Sequence, residues 1–166
     1  MNFLEKDLEQ IIYEVDNSSL RSRGLYIYGN KLRQTRIGNY GISDLITIDK
    51  EYNTELIGFV DDKPVYGETP VLLITVYELK KDEINLNTYH QAVRYCKGII
   101  SFLDKRKFNF EYKCSITLVG RTMCEKSILS YLPEIHDNIN IYTYDYALDG
   151  IKFNLQGTYS LIDEGF

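Results

Sequence analysis

At 166 residues and 19.4 kDa, the chain has the length of one domain with a real core. Hydrophobic residues at 44% and charged residues at 26% are ordinary for a soluble globular protein. A formal charge of -5 argues against a generic nucleic-acid coat, which is usually basic, without excluding an enzyme that acts on nucleic acid. Cys96, Cys114 and Cys124 form no CxxC pair, so reduced thiols in a cytoplasmic protein are the expectation. The opening MNFLEKDLEQ is amphipathic and acidic, unlike a signal peptide. No apolar run approaches the roughly 20 residues of a membrane span.

In chain order, Phe3, Leu4, Leu8, Ile11, Ile12 and Val15 recur at three- and four-residue spacing, which predicts an amphipathic helix over 3–15. Its polar face carries Glu5, Asp7, Glu9 and Gln10. The segment Asp16–Gln34 reads as a loop with a short helix or strand around Leu25–Tyr28. Five basic residues, Arg21, Arg23, Lys31, Arg33 and Arg36, occur from 21 to 36 with no acid between them. Asp44–Ile48 reads as a strand, Asp49–Asn53 as a polar turn, Glu55–Val60 as a second strand and Asp61–Pro70 as a loop. Val71–Lys80 is β-branched and almost wholly apolar, the pattern of a buried central strand. Asn85 or Asn87 caps a helix running to about Lys105. A strand at Tyr112–Val119, a helix at Cys124–Leu132, a strand at Ile139–Ala147 and a last strand from Ile151 complete the chain. The order predicts an α/β fold, with a mixed central β-sheet flanked by helices in a single domain over residues 1–166.

Tyrosine is the compositional oddity, at 15 residues with no tryptophan. The alternation of Tyr142, Tyr144 and Tyr146 favours packing on a sheet face over a surface for stacking bases.

The chemistry concentrates at the end of the apolar strand. Glu78 and Lys80 share a face, their Cα atoms about 6.5 Å apart at roughly 3.3 Å rise per residue. If the Asp44 strand lies alongside, two carboxylates and the Leu79 carbonyl offer hard oxygen donors to Mg²⁺ or Mn²⁺. Lys80 then reaches the same spot, to orient or deprotonate a water and stabilise negative charge. Lone charges are rarely set at the end of a buried apolar strand unless they pair or coordinate.

Gly41-Ile-Ser-Asp44 entering one strand, Glu78-x-Lys80 ending another and Gln91-x-x-x-Tyr95 on the next helix resemble, in this order, the PD-(D/E)XK nuclease superfamily. The likeness spans roughly residues 1–101 and implies a restriction-endonuclease-like core. It implies Asp44 and Glu78 as metal ligands, Lys80 as the basic member, Gln91 with Tyr95 as support as in RecB-type exonucleases, and Glu5 as the first-helix glutamate of the metal or its water shell. Arg33-Gln34 is similar to the Arg-Gln of NucS-like endonucleases. With Lys31, Arg36 and Tyr95 it forms the expected nucleic-acid contacts. The residue before Asp44 is Ser43 and not proline, a departure at a variable position.

The resulting expectation is a Mg²⁺- or Mn²⁺-dependent deoxyribonuclease. The alternatives are a catalytically silent nuclease-fold module that binds or regulates, and a nuclease acting on RNA. DNA is the favoured partner, no membrane is expected, and a homodimer is expected with no interface marked in the sequence. His90, His136 and the basic group Lys97, Lys105, Arg106 and Lys107 stay outside the expected site. The Glu5 and Glu9 positions, one turn apart, compete for the helix role.

Overall fold

Asp61 and Asp62 both take left-handed φ angles, 49° and 59°. That is the conformation a two-residue hairpin turn of the primed type requires. On either side of it, in the computed structural model, run β2 (Ile42–Val60) and β3 (Lys63–Leu79), antiparallel partners along their length with a bulge between Leu56 and Gly58. The structure describes residues 4–123, 128–132, 136 and 138–156.

This hairpin corrects two sequence expectations. The polar stretch Asp49–Asn53 is not a turn but the middle of β2, and the expected loop Asp61–Pro70 holds only a two-residue turn before β3 begins. The distal half of the hairpin is wet on its sides, so its polarity reports exposure and not a break in the chain. Pro64 and Pro70 are accepted because β5 (Glu111–Gly120) joins β3 only from Val71 onward, leaving that edge without a partner demanding an N–H.

A further strand, β1 (Asn30–Arg36), pairs antiparallel with the first part of β2 where a loop was expected. Leu25 and Ile27, expected in a short helix or strand, lie in irregular backbone with their side chains fully buried. β5 and β7 (Ile139–Ala147) extend the sheet in parallel, and β8 (Gly150–Gln156) returns antiparallel. The result is an α/β fold around a mixed six-stranded sheet in the order β1-β2-β3-β5-β7-β8. Two short parallel strands, β4 (Glu83–Ile84) and β6 (Thr122–Met123), form a small separate pair.

Helices cover both faces. α1 (Glu5–Glu14) and α2 (Asn17–Ser22) supply Leu8, Ile12 and Leu20 to one cluster, which includes Tyr77 and Leu79 of β3. α3 (Leu86–Lys105) supplies Ala92, Tyr95 and Cys96 to the other, with Ile74 and Val76. The odd and even residues of β3 thus feed two cores, which is why its sequence is nearly continuously apolar. Asn85 is the cap of α3: its side chain accepts from the Thr88 N–H at 3.1 Å and Thr88 returns the bond to the Asn85 N–H. Tyr142 and Tyr144 are buried in the α1-side cluster, as expected of sheet-face tyrosines. Cys96 and Cys114 are free thiols 2.9 Å apart. Cys124, Phe3 and the start of the expected helix at 124–127 lie outside the described residues, and a 3-10 turn occupies Ile128–Tyr131. Among the described residues no helix is long and apolar enough to cross a membrane.

Candidate functional site

Asp44 and Glu78 are separated by 33 residues of chain, and the hairpin closes that gap. The ladder pairs Ile46 with Val76 and Leu45 with Tyr77, so one further step brings Asp44 beside Glu78 at the open end of the strands. Both have the parity of Ile46 and Val76, the α3 side of the sheet. The Asp44 Oδ2 accepts a hydrogen bond from the Leu79 N–H at 3.1 Å, which ties its carboxylate across the two strands. Glu78 is 1% exposed; its Oε1 accepts from the Lys80 Nζ at 2.8 Å, and its Oε2 is buried with no hydrogen-bond partner among the described residues.

Lys80 stands one residue past β3, its backbone N–H held by the Val119 carbonyl at 2.8 Å. The following segment is fixed as well, because the Tyr144 hydroxyl donates to the Lys81 carbonyl at 2.6 Å. The ammonium is 3.7 Å from the Glu5 Oε1 at the start of α1, so the helix end and the strand end meet at it.

Electrostatics at this point are those of acids crowded out of water. Burial, then the charge of Asp44, push Glu78 up to about 7 despite the Lys80 hydrogen bond. Burial also raises Asp44, opposed by the Leu79 N–H and by Lys80 and reinforced by Glu5 and Glu9. Burial alone would lower Lys80; its bond to Glu78 and the surrounding carboxylates outweigh this and raise it. An ammonium held in its charged form donates and stabilises negative charge, and it does not take a proton from water.

Glu9, the rival to Glu5, proves to have its own place. It is 5% exposed and accepts from the Arg33 Nε and from the Gln34 Nε2, the latter at 2.5 Å, locking α1 to β1. Which of two glutamates one helical turn apart meets Lys80 is a tertiary matter; the only local sign was a basic pair awaiting an acid. Lys31 likewise donates to the Val15 carbonyl and, at 3.4 Å, to the Tyr13 carbonyl at the end of α1. Cations gather there because the last carbonyls of a helix lack partners. Lys31, Arg33 and Gln34, expected as nucleic-acid contacts, also fasten α1 to β1. Arg36 lines a groove beside α3.

Gln91 donates to the Tyr95 hydroxyl at 2.8 Å, and among the described residues no hydrogen bond joins this pair to Asp44, Glu78 or Lys80. Tyr95 is 4% exposed, which corrects its expected nucleic-acid contact: a buried ring offers no stacking face. Its ring lies against Gly41, where a Cβ would come within 2.9 Å of the Tyr95 Cε1, and Gly41 has φ 122°. Tyr95 thus props the turn that delivers Asp44. Gly41→Ala is expected to destabilise the fold by about 1–3 kcal/mol through its left-handed backbone and the ring clash, read by urea denaturation. An unchanged midpoint would contradict this role.

Compared with models of known protein families, with curated proteins and with solved structures, the chain matches none.

The donor set suits a hard divalent cation in type, with two adjacent carboxylates and one buried oxygen lacking a partner. Among the described residues, no three His, Cys, Asp or Glu side chains already stand close enough to enclose one. Glu5, whose side chain is 44% exposed, is the remaining carboxylate within reach of Lys80.

Proposed function

We propose that this chain is a Mg²⁺- or Mn²⁺-dependent nuclease hydrolysing DNA phosphodiesters, a single restriction-endonuclease-like domain over residues 1–166. The observation that carries the reading is the Asp44–Glu78 pair at adjacent strand ends, with the Lys80 ammonium on one Glu78 oxygen and the other oxygen buried without a partner among the described residues. The strand order supports it too: a three-stranded antiparallel unit, a helix, and parallel additions form the kind of sheet the resemblance implies.

Asp44 and Glu78 would hold the cation, with Glu5 at its water shell. A bound Mg²⁺ or Mn²⁺ supplies charge to neutralise a phosphate and acidify a water. The chain's own groups do the rest. Lys80 stays protonated and meets the negative charge that develops on the phosphate oxygens. Glu5 and Glu78 aim its ammonium from two sides. Gln91 and Tyr95 act at a distance, by holding the Gly41 turn.

One observation favours a second reading, a catalytically silent module that binds or regulates. Glu78 and Lys80 already form a closed ion pair, and no three-ligand cluster stands ready among the described residues. Incubation of the protein with circular and linear DNA in Mn²⁺ separates the two. Nicked or linear products that disappear on chelation support the nuclease; intact DNA at all metal concentrations supports the silent module.

A further inference from the structure

We propose that the β2–β3 hairpin arm of one copy seats in the apolar groove beside α3 of a second copy, reciprocally, forming a two-fold dimer. This rests on surfaces away from Asp44 and Glu78 and does not depend on the nuclease reading.

The arm is a two-stranded ribbon with both edges unpaired. β1 leaves β2 after Ile48, and β5 does not join β3 until Val71. Only residues 52–60 and 63–70 lie past both neighbouring strands, so at roughly 3.3 Å per residue the ribbon reaches about 30 Å beyond the shared sheet. Isolated two-stranded ribbons are at best marginal in water, and open edges invite pairing.

The cross-strand register gathers aromatic and apolar side chains on one face, interrupted by the Thr54–Glu68 pair. Tyr52 opposes Pro70, Leu56 opposes Tyr66, and beyond the bulge Phe59 opposes Pro64. By strand alternation all three pairs share the face on which Ile48 and Ile74 line the groove lower down. Tyr52, Leu56, Phe59 and Tyr66 are each 52–66% exposed, and Ile57 and Val60 at 68% and 62% flank them. Tyr52, Leu56, Phe59 and Tyr66 on this face make an exposed patch on the order of a few hundred Å², the scale at which patches mark interaction sites.

The groove complements the arm. It has a volume of about 780 Å³, walled by Ile37, Ile46 and Ile74, with Phe102 and Phe108 at its mouth 53% and 41% exposed. Its charged lining is Arg36 and Lys105, with no acid. The arm's turn is Asp61-Asp62, and with the adjoining Lys63 the tip keeps a net negative charge. An aromatic tip led by two carboxylates therefore faces an apolar slot carrying two cations. Because each copy holds both halves, the contact closes on itself under two-fold symmetry.

Sedimentation velocity of the full chain over a wide concentration range provides the test. Wild type is expected to dimerise. Phe59→Asp on the arm and Phe102→Asp at the groove mouth, both at exposed positions that the core does not need, each weaken association by about tenfold to a hundredfold. A mixture of the two variants should associate more tightly than either alone, since one intact arm then meets one intact groove. Asp61→Lys weakens the dimer, and adding Lys105→Glu to the same chain restores it. A monomer at every concentration, a dimer indifferent to Phe59→Asp, or a mixture no tighter than its parts would overturn the proposal. An arm that serves a different protein would give the first of these results.

Discussion

Asp44→Ala and Lys80→Ala are each expected to cut Mn²⁺-dependent DNA cleavage by at least about a hundredfold to a thousandfold, the range for deleting one preorganised charge-stabilising group. The two should fail for different reasons. Asp44→Ala removes one of the two carboxylates proposed to hold the cation and with it the acceptor of the Leu79 N–H. Higher metal concentration should recover part of its activity. Lys80→Ala leaves the carboxylates in place but strips Glu78 of its only hydrogen-bond donor among the described residues. No metal concentration should rescue it, and Lys80→Arg should restore little because a planar fork does not replace a compact ammonium. Activity retained in both alanine variants, measured on the same DNA and metal, would remove Asp44 and Lys80 from the chemistry.

Stability should fall as pH rises from 5 to 8, opposite to the trend set by surface carboxylates in salt bridges. Glu78 has an ordinary value of 4.5 and sits at about 7 in the folded chain, chiefly through burial. The native protein holds this proton more tightly than the unfolded chain. Its contribution is whole below pH 4.5 and lost as pH climbs through 7, worth about 3 kcal/mol at 1.36 kcal/mol per pH unit. Asp44, also raised by burial, adds to the slope in the same direction. Glu78→Gln should flatten most of it and be more stable than wild type at pH 8. Mn²⁺ should stabilise wild type more at pH 8 than at pH 5, since it competes with the proton for the same carboxylates. Urea midpoints at the two pH values give the answer. Equal stability at both, or an unchanged slope in Glu78→Gln, would show that Glu78 is not the strained acid described.

The parts legible in the sequence were those fixed by strong local chemistry. The run Val71–Leu79 announced a strand buried on both faces, and the choice of Asn85 or Asn87 as a cap announced the start of α3, which the structure gives to Asn85. The neighbourhood of Glu78 and Lys80 was also legible, because charges at the end of an apolar strand need partners. The arm was not, since residues 49–60 alternate exposed polar and apolar groups with no core beneath to set a clear period. Its turn is Asp-Asp without the usual glycine, which hid it. β1 escaped notice because Lys31, Arg33 and Arg36 read as a basic loop placed for phosphate contact, while Lys31 and Arg33 are anchored to the N-terminal helix. The same cause explains Glu9: a buried glutamate looks like a surface one until its two donors arrive from elsewhere in the chain.

Titration of Mn²⁺ into metal-free protein by calorimetry, for wild type, Asp44→Asn and Glu78→Gln, interrogates the shared cation site itself and needs no substrate. Saturable heat in wild type that vanishes in both variants is the predicted outcome. Heat that persists unchanged in the variants, or none in wild type, would contradict the site and the nuclease built on it.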